Sequence, residues 1–339
     1  MNKLNLFACL TLLATLAFPS CGPDTPSYRK KLLIDPEPAE ELFFDRYEDV
    51  LFGLDTADFQ ASLKSIQQQY SPFLEGDLDN PEAVWYLKSF AVDPFSVNLY
   101  QKVKQAFPDL DQVKSIVEEV YRHFHYYYPE IHLPTHIYTC VSGINPDIPS
   151  VLFTNDALVI SLDWYLDGDV VYDQIGMPQY RARRTLLAGL SKDLGQLLYE
   201  TYLDNNAKQG CLLEEMVAAG RKAFFIEAMC PESADSILLG YSSAQTRWIE
   251  ANEGNLWADM VGNQYLYSTD LELYRIFLSD GPFTNEYSHE APPRMGEYVG
   301  LQIVRSFMDT HETSLQELMQ ITDLQGLFLD SRYKPKKRS

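Results

Sequence analysis

The stretch Ala157-Leu158-Val159-Ile160-Ser161-Leu162-Asp163-Trp164 decides the fold class of this chain. It is short, rich in β-branched and aliphatic residues, and preceded by Asn155, which predicts a strand. The stretch Thr135-His136-Ile137-Tyr138-Thr139-Cys140-Val141 has the same character, and residues 152–154 are a candidate third strand. Together these segments predict a small central sheet.

Helical patterns lie on either side of these strands. Between Asp109 and His125, apolar residues recur at i, i+3 and i+4, which predicts an amphipathic helix. Ser242 and Gln245 have the spacing of a capping box, in which the two side chains satisfy free backbone amides at a helix start. Five helices are predicted after Pro178, over residues 178–203, 212–229, 242–267, 294–308 and 314–328. The predicted fold class is therefore α+β, predominantly helical with a small β-sheet.

The amino-terminal residues have the pattern of a bacterial lipoprotein signal. Lys3 precedes an apolar run over residues 4–18, which at about 15 residues is shorter than the 20 or so that a membrane-spanning helix needs. Cys21 follows Ser20 and is the candidate lipidation site, where acyl chains would anchor the mature protein in a membrane. The alternative is an ordinary secretory signal followed by an incidental cysteine, because the triplet 18–20 departs from the usual lipoprotein pattern.

The rest of the chain divides by composition. Residues 1–20 are the predicted signal, residues 21–40 contain four prolines and predict a tether, and residues 41–330 form one predicted globular domain. A basic tail over residues 331–339 ends the chain. The net charge of −21 argues against nucleic acid as a partner.

The cysteines beyond Cys21 predict neither a disulfide scaffold nor a zinc site. Cys140, Cys211 and Cys230 are odd in number and contain no C-x-x-C pair. A bond between Cys211 and Cys230 is the one alternative considered, but a helix of the predicted length would separate them by about 27 Å. Buried free thiols are therefore expected.

The sequence lacks the familiar motifs of hydrolytic and nucleotide-binding enzymes. It contains no H-E-x-x-H, no G-x-S-x-G, no phosphate loop and no G-x-G-x-x-G. No metal and no cofactor are therefore expected. Glu250 and Glu253, one helical turn apart, are a candidate acid/base pair, and the alternative interpretation is a solvated helix face.

Several blocks spread over the chain carry a resemblance to a known family. The blocks are Leu158–Leu166, Ile237–Ser242, Trp248–Glu253, Tyr267–Asp270, Pro293–Gly300, Ile303–Met308 and Tyr333–Lys337. In combination they resemble the GldB family of gliding-motility lipoproteins from the Bacteroidetes group of bacteria. The resemblance implies a non-catalytic, lipid-anchored protein of the cell envelope. It also implies a role in gliding motility and the linked type IX secretion, through protein partners. The residues after Cys21 lack an acidic run, which favours an anchor that faces the periplasm.

That family is itself similar to gluzincin-type zinc peptidases, which implies a degenerate zincin-like scaffold. The stretch that corresponds to the zinc motif reads Lys192-Asp193-Leu194-Gly195-Gln196, and Ala219 stands near the position of the third ligand, so the metal ligands are lost. A groove would remain, and the candidate partner-binding residues there are Asp163, Asp193, Arg294 and Tyr298. Their alternative roles are structural. The alternative functions are an envelope hydrolase or residual metallopeptidase, and a nutrient-binding lipoprotein.

Overall fold

A computed structural model of the protein describes residues 25–37, 40–154, 156–167, 176–204 and 210–335. The predicted signal and Cys21 lie outside these residues. Within the described ranges, no helix combines the length and the apolar character needed to cross a lipid bilayer.

The predicted strands and one further strand form a four-stranded mixed sheet. The strands are β1 (Phe43–Arg46), β2 (His136–Cys140), β3 (Val151–Phe153) and β4 (Ala157–Ser161), in the spatial order β1-β2-β4-β3. β1, β2 and β4 are parallel, and β3 returns antiparallel to β4. All five residues of β4 are buried, which explains its continuous apolar run. The three predicted strands are confirmed in position, and β1 is an addition. The strand predicted over 157–164 ends at Ser161, because a 3-10 turn follows over Leu162–Tyr165.

Helices make up most of the remaining described residues. Those before the central strands are α1 (Ser27–Leu32), α2 (Tyr47–Leu51), α3 (Phe59–Ile66), α4 (Ser71–Leu74), α5 (Pro81–Val92), α6 (Pro94–Ala106) and α7 (Asp111–Tyr127). Those after them are α8 (Gln179–Ala182), α9 (Leu190–Tyr202), α10 (Leu212–Met229), α11 (Asp235–Leu238), α12 (Ser243–Gly262), α13 (Leu271–Leu278), α14 (Met295–Thr310), α15 (Leu315–Gln320) and α16 (Leu324–Ser331). The predicted class, α+β with helices predominating, is confirmed.

Several predicted helices are shorter or divided. The predicted helix 178–203 becomes α8 and α9, because Leu186 is extended and a 3-10 turn follows over Leu187–Gly189. The predicted helix 314–328 becomes α15 and α16, because Ile321 is extended and the Asp323 side chain accepts a hydrogen bond from the Gly326 amide, which starts a new helix. The capping box of Ser242 and Gln245 is confirmed at the start of α12.

The main core is built around the crossing of α10 and α14. The two helices approach so closely that Gly220 of α10 lies directly against the backbone of Gly300. A smaller cluster of buried side chains, which includes Tyr47, Leu63 and Leu74, lies beside the sheet under α2 to α4. Cys140, Cys211 and Cys230 are buried free thiols, as expected.

Candidate functional site

A cavity of about 770 Å³ opens at the carboxyl end of β4, and we refer to it as the groove. One wall is the loop 146–150 together with the residues that follow β4. A second wall is formed by residues 179–193, from α8 to the first turn of α9, and a third by residues 236–245 and the segment 280–290. The lining side chains that the argument uses are Ser150, Tyr165, Arg181, Arg183, Arg184, Lys192, Asp193 and Asp280.

Asp163 holds the first wall in place from behind. Its carboxylate is fully buried and accepts hydrogen bonds from the amides of Ser142, at 3.0 Å, and Ile144, at 2.8 Å. Between them Gly143 has a φ of +77°, which glycine adopts without strain, so the chain curls around the carboxylate. Burial raises the pKa of Asp163, while the two amides act in the opposite direction. Asp163 therefore positions the loop that leads to residues 146–150 and does not itself line the groove.

Asp193, by contrast, lies in the groove and joins two walls. Its Oδ2 accepts hydrogen bonds from the Tyr165 hydroxyl at 2.8 Å and the Ser150 hydroxyl at 3.1 Å. The Nζ of Lys192 lies 4.0 Å from Oδ1. Burial, reinforced by the charge of Asp193, raises the pKa of Tyr165 well above its ordinary value, so this phenol remains a hydrogen-bond donor. The carboxylate thereby ties α9 to the segment around β4.

Arg294 supports the third wall. It occupies the left-handed region at the start of α14, with a φ of +54°, and its guanidinium pairs with Glu297 at 2.7 Å and donates to the Leu239 carbonyl. On the other side of the same turn, Arg184 Nε donates to the Gly240 carbonyl at 3.0 Å. Two arginines thus fix the turn at Gly240.

Asp280 connects these two arginines. Its carboxylate lies 2.8 Å from Arg184 Nη1 and 3.6 Å from Arg294 Nε. Burial alone would raise the pKa of Asp280, but the hydrogen bond and charge of Arg184, with the charge of Arg294, outweigh it and hold that pKa below its ordinary value. The carboxylate is therefore ionised at neutral pH and braces the wall.

Four cationic side chains line the groove of this strongly acidic protein, together with three carboxylates, Asp193, Asp280 and Glu290. Arg181 and Arg183 expose their side chains at its rim, and Arg184 and Lys192 lie deeper. The three arginines were not predicted as site residues, and Lys192 was considered only as the residue at a lost zinc-ligand position. The run Arg181-x-Arg183-Arg184 was the available signal, because three arginines in four residues stand out in a chain with a net charge of −21.

Tyr298 lies away from the groove lining. It is buried, and its hydroxyl donates to Glu253 at 3.0 Å, while the Tyr333 hydroxyl donates to the other oxygen of Glu253 at 2.8 Å. Glu253 is thus held between two phenols inside the protein, whereas Glu250 is exposed. The structure therefore does not place the two glutamates together in an open cleft.

The residues at the positions expected for zinc ligands also have other partners. Gln196 donates to Glu200 at 3.0 Å, and Lys192 lies beside Asp193. In the described part of the chain, no group of three or more His, Cys, Asp or Glu side chains is arranged to hold a metal ion. The relationship to zinc peptidases remains a prediction.

Comparison with known proteins gives the family of this chain. No curated protein and no solved structure is significantly similar to it. The sequence profile of the family described as "Gliding motility protein GldB" matches residues 31–335, which is nearly the whole chain and includes every wall of the groove. The protein therefore belongs to the GldB family of gliding motility proteins.

Proposed function

We propose that this protein is a lipid-anchored component of the cell envelope that supports gliding motility and the linked type IX secretion by binding a protein partner, without catalysis. Its anchor would be acylated Cys21, and the body would face the periplasm. The family label, which includes the abbreviation "lipo", supports the lipid anchor.

The groove is the observation that carries the proposal. Its volume of about 770 Å³ is in the range of sites that hold a ligand or part of a polypeptide. Its walls are fixed before any partner binds, because Asp163 holds the first wall, Asp193 ties the first to the second, and Asp280 braces the third. A preformed site binds with a smaller loss of conformational entropy than one that must be ordered on binding.

The charges of the groove indicate what kind of segment it would hold. The guanidinium groups of Arg181 and Arg183 are exposed, and guanidinium groups form paired hydrogen bonds with carboxylates. Arg181 Nε already lies 3.9 Å from Asp280, so Arg183 is the stronger candidate for such a contact. A partner segment that carries Asp or Glu side chains would therefore be favoured over a basic one. The overall negative charge of the body would at the same time repel acidic proteins that lack such a contact.

The non-catalytic part of the proposal is supported by the positions of the carboxylates. Acid/base catalysis by a carboxylate pair needs both groups at one site that a substrate reaches. Glu253 is buried against Tyr298 and Tyr333, and Asp193 already accepts two hydrogen bonds from neighbouring side chains. Each of these carboxylates therefore has a structural role in the protein as it stands.

Crosslinking in cells tests the proposal directly. A photoactivatable residue in place of Ile148, which lines the groove and is 38% exposed, should give one discrete protein adduct in the envelope. The same residue in place of Val92, which is exposed on α5, is the control and should not give that adduct.

A charge reversal then tests whether the groove matters for motility. In a gliding bacterium that lacks its own copy of the protein, Arg183→Glu should abolish the adduct at position 148 and reduce both gliding and secretion. Arg247→Glu reverses an exposed charge on α12 that does not line the groove, and it should leave both intact. Normal gliding and secretion by Arg183→Glu, at a normal protein level, would contradict the proposal.

A further inference from the structure

The first helix of the structure is fixed to the body of the protein. The Tyr28 amide donates to Asp309 at 3.2 Å, Arg29 Nη2 donates to the Pro231 carbonyl at 3.2 Å, and Lys31 Nζ donates to the His311 carbonyl at 2.9 Å. The Tyr28 ring lies against Phe224. Although α1 falls within the residues for which the sequence predicts a tether, it is part of the packed body.

This attachment limits how far the body can lie from an anchor at Cys21. Six peptide units separate Cys21 from Ser27, and they span at most about 20 Å when fully extended. A relaxed flexible chain of that length spans about 13 Å. The headgroup layer takes up about 5 to 7 Å on each side of a bilayer. A body of this size has a radius of gyration of about 20 Å, so its far side lies well beyond that reach.

The surface around α1 has the side chains that suit a membrane interface. Tyr126 is 56% exposed and lines a cavity of about 360 Å³ together with Tyr28 and Leu32. Leu33 is 42% exposed at the end of α1, and Lys30 points into solvent. Exposed Tyr is favoured at the level of lipid headgroups because its ring is apolar and its hydroxyl is polar, and Lys extends its amine toward phosphate.

We propose that the surface formed by Tyr28, Lys30, Leu33 and Tyr126, which we call the α1 face, rests on the headgroup layer of the membrane that holds the acyl anchor. This inference depends on the acylation of Cys21 in the proposed function, and it does not depend on the groove. It assigns the membrane-facing side of the body.

Charge contributes little to this contact. Asp35, Glu37 and Glu312 are exposed near the same surface, and Glu312 lies 3.4 Å from Lys31 Nζ. The acidic residues therefore offset the attraction that Lys30 and Lys31 would have for anionic lipids. The short link and the aromatic side chain hold the α1 face at the membrane, so the contact should form on neutral and anionic bilayers alike.

Tyr267 provides a matched control for Tyr126. It is 59% exposed, and its neighbours Leu266 and Ser268 accept hydrogen bonds from the amides of Leu213 and Leu212 at the start of α10. Tyr28 lies against Phe224, near the other end of the same helix. Leu213 and Phe224 are eleven positions apart on this helix, which corresponds to about 16 Å along the axis.

The test places p-azidophenylalanine at position 126 or at position 267 of the full chain. The acylated protein is purified, its lipid at Cys21 is verified by mass spectrometry, and it is inserted into vesicles of phosphatidylcholine alone or with phosphatidylglycerol. After illumination, the phospholipid adduct at position 126 should be several-fold more abundant than at position 267, on both kinds of vesicle. A chain with Cys21→Ser should lose the adduct at position 126.

The other outcomes contradict the proposal in distinguishable ways. Equal or weaker lipid adducts at position 126 than at position 267, in protein with a verified lipid at Cys21, would overturn the assignment of the α1 face. A mature chain without lipid at Cys21 would overturn the anchor and this inference with it, while the crosslink at position 148 would still report on the groove. An adduct at position 126 only in the presence of phosphatidylglycerol would overturn the argument from the short link.

Discussion

The crossing of α10 and α14 gives the sharpest test of the fold. A Cβ atom added at Gly300 would lie 1.7 Å from the Met216 carbonyl oxygen and 2.5 Å from its carbonyl carbon. Both atoms belong to the backbone of α10 and cannot move aside as a side chain can. Because Cβ atoms do not approach other heavy atoms within 3.0 Å, Gly300→Ala requires the two helices to separate by about 1 Å or more at this point.

The expected cost follows from two opposing effects. Alanine in a helix interior stabilises by about 0.5 to 1 kcal/mol relative to glycine. Overpacking in a core costs about 1 to 3 kcal/mol, and more when backbone must shift. Since the crossing is surrounded by fully buried residues such as Met216, Val217 and Ile303, the second effect dominates. We expect Gly300→Ala to lower the free energy of unfolding by about 2 kcal/mol.

Gly262→Ala is the matched control, and it should change stability in the opposite direction. Gly262 is the last residue of α12, and nothing lies within 4 Å of a Cβ atom added there. Here the helix preference acts alone, so we expect a small gain of up to about 1 kcal/mol. Urea unfolding followed by circular dichroism measures both. A Gly300→Ala protein as stable as the wild type would refute the helix contact described above.

Three further results are expected. Asp163→Ala should destabilise the protein by about 1 to 3 kcal/mol, because the amides of Ser142 and Ile144 lose their buried acceptor. Asp163→Asn keeps one acceptor oxygen and should cost less. Urea unfolding compares the two variants. Asp280→Asn should lower the free energy of unfolding at pH 7. Because the pKa of Asp280 is lowered in the folded state, the stabilisation by its carboxylate is present above about pH 4 and is lost as the pH falls through the folded-state pKa. The unfolding free energies of the two proteins should therefore converge near about pH 2. Arg305 is buried and pairs with Glu227 at 2.9 Å and with Asp235 at 2.7 Å. Arg305→Ala should cost about 3 to 5 kcal/mol, because the buried Glu227 loses this partner and keeps the more distant Arg29, at 3.8 Å, and adding Glu227→Gln should recover part of that stability in thermal unfolding.

Local patterns in the sequence predicted much of the fold. Residues 157–161 form a strand because five consecutive small or apolar side chains suit a position that is buried on both faces of the sheet. The helix over 212–229 has the predicted bounds, and Ser242 caps α12 as its spacing with Gln245 indicates. The division at 321–323 was also readable, since Asp323 is a strong start signal in the middle of a helical pattern.

Long-range contacts explain what could not be predicted. β1 is only four residues long, and it is a strand because it pairs with β2, which lies about 90 residues further along the chain. Arg184, in the groove, donates to the Gly240 carbonyl 56 residues further along the chain. Asp163, behind the groove, accepts a hydrogen bond from the Ile144 amide 19 residues earlier. No residue pattern within a short window encodes such partners. The resemblance to a family suggested Asp163, Asp193 and Arg294 as candidates, but their roles follow only from the contacts in the structure.

Those roles decide which substitution can report on binding. Arg294 is largely buried and holds Glu297, Asp280 and the Leu239 carbonyl, so reversing its charge would place a carboxylate beside two others and disturb the third wall. A loss of motility in that variant would follow equally from a damaged wall and from a lost partner. Arg183 is exposed at the rim, and none of the described contacts depends on it. A loss of partner binding in Arg183→Glu, with the unfolding curve unchanged, therefore separates recognition in the groove from the stability of its walls.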